Sequence, residues 1–285
     1  MKKALAIDVG GTKIYNTIIN EKGEILSEVE KHHTFNEIRA LFEEIIAKHE
    51  KEVDVIAFAT CGAVNNENNK ILGSTGNIAA GYPEMDFKSL GKKRVFVEND
   101  ANAAAWAEHV VGSSKGMPYS VMLTLGTGVG GGIILDNKLY KGKNGAAGEM
   151  HFKMRTDKHR KCTCGSYDCF EAYASGTGLK RTAEEISGDQ EITTYDVIQN
   201  QDRPMMKKIF EKWQNDILEG IIGLANIFDP DVVVLSGSMA EFVDIEYLEK
   251  QANKEIVTTP FKVVKASAGN YSGMIGAALL ALGVK

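Results

Sequence analysis

Three of the chain's four cysteines fall in one octet, CTCGSYDC, as Cys162, Cys164 and Cys169. Three thiolates and one imidazole complete a tetrahedral zinc site of the closed, structural kind. His151 stands upstream of the octet and supplies the fourth ligand. The alternative is free thiols in a loop with a solvated or core histidine. Free cysteines are mostly buried and solitary, so three in eight residues favour metal. With four protein ligands no position stays open, so the ion would pin the loop. Glu149 in AAGEMH and Glu171 in CFEAYASG bracket that loop. Carboxylates suit polyol hydroxyls, although either one alone reads by default as a solvated surface group. The fourth cysteine, Cys61 in ATCGAV, reads as a small buried hydrophobe.

Glycine-rich turns carry the second kind of chemistry. DVGGTK (8–13) and LGTGVGGG (125–132) each follow an apolar run, and SGSM (236–239) follows a third. Such turns aim several backbone N–H groups at one point, where phosphate oxygens are satisfied without side-chain bulk. One turn alone needs no ligand, because turns use glycine for positive φ in any case. Two turns with Thr12 and Thr127 at matching places strengthen the phosphate reading. Asp8 beside the first turn would repel phosphate unless a cation intervened, which favours Mg²⁺ through water; the plainer role is a turn cap. No Walker A loop occurs, and GTGVGG (126–131) runs into a strand rather than a helix, against dinucleotide binding.

VFVENDANAAAWAEH (95–109) reads as a strand end, then Asn99-Asp100, then an alanine helix. Asp100 is either the helix N-cap or a general base. A sugar hydroxyl is too weakly acidic to attack phosphorus unaided. A carboxylate within hydrogen-bond reach removes its proton as the bond forms, which contributes about 10²–10⁴-fold.

Behind these residues the pattern is α/β. Strands are expected at 4–9, 14–20 and 24–31, a helix at 36–51 with Asn36 as N-cap, and a strand at 53–60. The second half repeats strand, glycine turn and strand over 119–140, with a hairpin at Asp136-Asn137-Lys138. An amphipathic helix follows at 208–228, then strand, turn and helix start at 231–241. Two α/β domains are expected, 1–115 and 116–274, with a C-terminal helix 275–285 packing back on the first.

The net charge of -5 and the lack of a basic block argue against nucleic acid. The apolar run MIGAALLALGV (274–284) is shorter than the about 20 residues that span a bilayer. A soluble, cytoplasmic protein is expected, without a nucleic-acid or membrane partner.

Taken together, AIDVGGTK, LGTGVGGGI, ENDANAAAWAE, GEMH and CTCGSYDCFEAYASG resemble, in order, the motifs of the ROK family of sugar kinases and sugar-responsive repressors. The resemblance implies the two-lobed, actin-like (hexokinase-like) α/β ATPase fold with a cleft between the lobes. It implies ATP-dependent phosphorylation of a sugar 6-hydroxyl with Asp100 as base. Asn99, Glu149, His151 and Glu171 would bind the sugar, with Asn77 and Gly62 at further sugar-side positions. Asp8, Gly10, Gly11, Thr12, Lys13, Gly126, Thr127 and Gly128 would serve Mg-ATP phosphates, and Gly237 the adenosine. Zinc would sit on His151, Cys162, Cys164 and Cys169, with His151 also serving the sugar, and family members often dimerise. Departures touch the sugar side. Glu149 and His151 are two apart where the family usually has three, Asp168 stands where Gly is usual, Cys61 where Pro is common and Tyr82 where Trp is common. Repressors of the family carry an added N-terminal winged-helix domain; a first strand at residue 3 or 4 leads to the expectation of an enzyme. A sugar-binding regulator without turnover is the alternative.

Overall fold

The computed structural model of the protein describes residues 1–34, 37–73, 79 and 81–284. Asn36, expected as a helix cap, lies outside the described residues. The chain divides into two compact units: Met1–Pro118, Gly132–Gly148 and Ser267–Lys285 form the first, and Tyr119–Gly131 and Glu149–Ala266 the second.

The strands are β1 (Lys3–Val9), β2 (Lys13–Asn20), β3 (Glu30–His33), β4 (Val55–Thr60), β5 (Ala63–Val64), β6 (Ile71–Gly73) and β7 (Arg94–Asn99). They continue as β8 (Ser120–Leu125), β9 (Val129–Leu135), β10 (Lys138–Leu139), β11 (Val232–Ser236) and β12 (Lys262–Lys265). The helices are α1 (Ile38–His49), α2 (Asp100–Val110), α3 (Glu171–Ala174), α4 (Gly176–Ser187), α5 (Thr194–Gln199), α6 (Pro204–Phe228), α7 (Ile245–Glu255) and α8 (Ser272–Leu282). One sheet has the order β3-β2-β1-β4-β7 and a second β10-β9-β8-β11-β12. Numbered within each set, the two orders are identical, which accounts for the repeat visible in the sequence.

In the first sheet β1, β4 and β7 run parallel, and β2 and β3 add an antiparallel edge. Side chains alternate across a strand, and β1 reads Ala4-Leu5-Ala6-Ile7. Leu5 and Ile7 join Ile56, Phe58, Phe42 and Phe87 in a bulky core. Ala4 and Ala6 join Ala57, Ala59, Ala103 and Ala277 on the other face. Small residues there let α2 and α8 press close: a Cβ built on Gly276 would lie 1.6 Å from the Ala103 carbonyl oxygen.

Three boundaries depart from expectation. The third strand forms at Glu30–His33, not 24–31. Ser27 Oγ takes the Ile18 N–H at 2.9 Å, a bond that a ladder would otherwise make. The long helix begins at Pro204, whose missing N–H costs nothing in a first helical turn. The C-terminal helix begins at Ser272 rather than 275. The hairpin at Asp136-Asn137 forms as expected, with φ of 54° and 58°.

These contacts yield a paired prediction. Gly276→Ala should destabilise the protein by at least ~2 kcal/mol, because backbone must move. Gly223→Ala, on α6 with nothing within 4 Å of the new methyl, should stabilise by about 0.5–1 kcal/mol. Thermal unfolding of both variants checks the pair.

Candidate active site and metal centre

The parallel strands bring one group of candidates to a common edge. Val9 of β1 aligns with Thr60 of β4, and Thr60 with Asn99 of β7. Asp8, Gly62 and the Asn99-Asp100 pair therefore meet at the carboxyl ends of three parallel strands, where open α/β sheets bind ligands.

The sequence left Asp100 as cap or base. The structure gives the cap to Asn99: its φ of -60° and ψ of 140° are extended, and its Oδ1 accepts the Asn102 N–H at 2.9 Å. Asn99 Nδ2 donates to the Gly62 carbonyl at 3.0 Å, and Gly62 has a φ of +93°. Asp100 is the first helical residue, exposed, with Oδ1 accepting the Ala101 N–H at 2.8 Å. Cys61 is half-buried, not buried as its sequence suggested. Tyr82 is fully buried and donates to Thr60 Oγ1 at 2.9 Å, so it serves the core. Asn77 lies outside the described residues.

Asp8 is half-buried at the end of β1. Burial and the nearby Asp100 carboxylate push its pKa up to about 7. Two carboxylates held this way fit a cation between them and a phosphate ligand. The adjoining turn closes with the Gly10 N–H on the Lys13 carbonyl at 2.9 Å and leaves Gly11, Thr12 and Lys13 exposed.

In the second unit the 126–128 turn is stitched to two other segments. The Gly176 N–H donates to the Gly126 carbonyl at 2.8 Å, and Thr177 Oγ1 to the Thr127 carbonyl at 2.8 Å. The Met239 N–H donates to the Leu125 carbonyl at 2.9 Å, beside Gly237, whose φ is +87°. Glu171 Oε2 accepts the Val129 N–H at 3.1 Å, and a Cβ on Gly128 would lie 2.5 Å from that oxygen. Sequence reasoning missed Ser175–Gly178; the string SGTG was its signal, a third glycine-threonine turn at a helix start.

The metal candidates converge. One donor atom each from His151, Cys162, Cys164 and Cys169 all lie within 4.8 Å of one another. Cys162 Sγ is 3.5 Å from His151 Nδ1, and Cys164 Sγ is 3.6 Å from Cys169 Sγ. The donor set is N and S, as zinc prefers. Burial pushes the Cys162 thiol up to about 12, so a cation is needed to hold it as thiolate. The shortened Glu-Met-His spacing is absorbed by a tight turn in which the His151 N–H bonds the Glu149 carbonyl at 2.8 Å. His151 Nε2 then faces Glu149 Oε2 at 3.8 Å. Glu171 reaches the same loop, with Oε1 bonded to Thr163 Oγ1 and 3.5 Å from Cys162 Sγ.

Asp168 explains its own departure. Its φ is +58°, a conformation that favours glycine. Burial would raise its carboxyl, but donors from Arg160 N–H, Tyr173 Oη and His159 N–H outweigh this and hold it at about 2. Asp168 thus organises the loop through its side chain while occupying a glycine conformation.

The ROK family pattern matches residues 4–284 of this chain. A glucokinase of Streptomyces coelicolor is 31% identical, across 99% of this chain and 98% of its own. The chain belongs to the ROK family. An N-acetylmannosamine kinase of Yersinia pseudotuberculosis is also 31% identical, across 99% of both chains. The crystal structure of a ROK glucokinase from Streptomyces griseus, with glucose and AMPPNP, superposes with a TM-score of 0.81 at 29% identity over 99% of each chain. The α/β, actin-like ATPase fold of this ROK protein accords with the motifs.

Two predictions arise here. The raised Asp8 pKa means that the folded, metal-free protein holds that proton more tightly than the unfolded chain. Its contribution favours folding below pH about 4 and is lost as pH rises through about 7. Asp8→Asn should therefore raise the melting temperature of the metal-free protein at pH 8 by about 2–6 °C and leave it unchanged at pH 4. Elemental analysis should find about one zinc per chain, reduced at least tenfold in Cys162→Ser.

Proposed function

We propose that this ROK-family sugar kinase transfers the γ-phosphoryl group of Mg-ATP to the 6-hydroxyl of a hexose-type sugar: glucose, an N-acylhexosamine or a β-glucoside. The observation that carries this reading is the division of labour at the start of α2. Asn99 takes the N-cap, and an exposed carboxylate is left at the next residue, on the edge where three parallel strands end.

Asp100 accepts the hydroxyl proton as the sugar oxygen bonds to phosphorus and the bond to the bridging oxygen of ADP breaks. The proton ends on Asp100 and the negative charge on ADP. Mg²⁺, when bound with the nucleotide, neutralises charge on the phosphates, and Asp8 is the residue that would hold its hydration shell. Gly10 and Gly126 close the two turns with their own N–H groups, so the N–H groups of Gly11, Thr12 and Lys13, and of Thr127 and Gly128, serve the phosphates; Gly237 serves the adenosine.

Asn99, Glu149, His151, Glu171, Gly62 and Asn77 serve the sugar. An amide has two N–H donors, so Asn99 can hold the Gly62 carbonyl and still donate to a hydroxyl. His151 divides its ring likewise, Nδ1 toward the thiolates and Nε2 toward the sugar and Glu149. His151, Cys162, Cys164 and Cys169 would hold a zinc ion that cross-links the loop carrying Glu149, His151 and Glu171. The resemblance extends this reading to a cytoplasmic homodimer.

The test is ADP release with Mg-ATP across hexoses, N-acylhexosamines and phosphorylatable disaccharides. One sugar should turn over far above the rest. Silence across the panel from folded, zinc-loaded protein would favour the regulator without turnover.

A further inference from the structure

Behind the Asn99-Asp100 corner lies a buried carboxylate, the first residue of ENDANAAAWAE. Glu98, on β7, is 1% exposed. Its Oε2 accepts from Lys141 Nζ at 2.8 Å and from Asn68 Nδ2 at 2.6 Å. Its Oε1 accepts the Asn99 N–H at 3.0 Å and Asn102 Nδ2 at 3.3 Å. The Lys141 side chain is 14% exposed and also donates to the Asn65 carbonyl at 3.1 Å. All these residues belong to the first unit.

We propose that Lys141 is a positioning residue for phosphoryl transfer, acting through Glu98 on the corner that presents Asn99 and Asp100. The proposal rests on the kinase reading. An ionised carboxylate this deep is costly without a partner, and among the described residues Lys141 is the cation within ion-pair distance of it. Glu98 in turn grips the peptide N–H of Asn99 and the side chain of Asn102, whose own N–H closes the cap on Asn99. Asn99 then holds the Gly62 carbonyl. Charge at Lys141 therefore fixes the angle at which the strand end turns into α2. An apolar pair of equal volume would stabilise the fold as well or better, so stability alone does not call for this one. A positional role does, because ion pairs and charge-assisted hydrogen bonds fix direction as well as distance.

The experiment compares Lys141→Met and Lys141→Arg with wild type, at a temperature well below each melting midpoint, on the sugar that the panel selects. Lys141→Met should lower kcat about 10–100-fold, a loss in the range of misplaced reacting groups, with zinc content unchanged. Lys141→Arg should recover most of that loss, since it restores the charge. In a crystal structure of Lys141→Met, or of Lys141→Gln should the first variant not fold, Asn99 Nδ2 should have left the Gly62 carbonyl. A kcat within twofold of wild type, or an intact Asn99–Gly62 bond, would overturn the proposal. Wild-type silence on the panel would sink the kinase reading separately, and the variant's crystal structure would then decide the positioning claim alone.

Discussion

The hydrogen bond from the Asn102 N–H to Asn99 Oδ1 closes the first turn of α2, and the candidate site depends on it. A helix N-terminus leaves four N–H groups without partners inside the helix. Were Asp100 needed to satisfy them, its carboxylate would be committed to the backbone. With Asn99 as cap, Asp100 accepts its neighbour's N–H and stays exposed. The cap in turn requires that β7 end at Asn99 and that α2 lie close to the sheet. Alanines on one face of β1 and β4, and glycine at the α2–α8 crossing, allow that approach.

The second unit meets a comparable demand by other means. The segment 149–171 contains little regular structure of its own, so polar contacts hold it, and its cysteines stand where a metal ion could add to them. Arg160, buried, forks onto Glu185 at 2.8 and 2.6 Å and donates to the Ala172 carbonyl at 3.1 Å. Trp213 of α6 donates to the Ala174 and Ser175 carbonyls, each at 3.0 Å. Glu171 joins the metal loop to the glycine turn by its two oxygens.

Local signals were legible in the sequence, and long-range ones were not. Glycine turns, the alanine helix and the cysteine octet announce themselves within a dozen residues. The γ-turn at Glu149–His151 was not foreseen, yet it reconciles the short spacing with the metal cluster. Asp168 was visible as an oddity but not as an aspartate in a glycine conformation. The choice between Asn99 and Asp100 as cap turned on one residue of register, which propensity cannot resolve because both types cap well. Lys141 meets Glu98 through tertiary folding alone, and Ser27 displaced β3 by a side-chain bond that no strand pattern encodes.

The most direct test of the central claim measures sugar affinity and turnover together in Asp100→Asn. Calorimetric binding of the accepted sugar should stay within a few-fold of wild type, while turnover falls by about 10²–10⁴-fold. Turnover surviving near the wild-type rate, with sugar bound equally well, would contradict a base at Asp100.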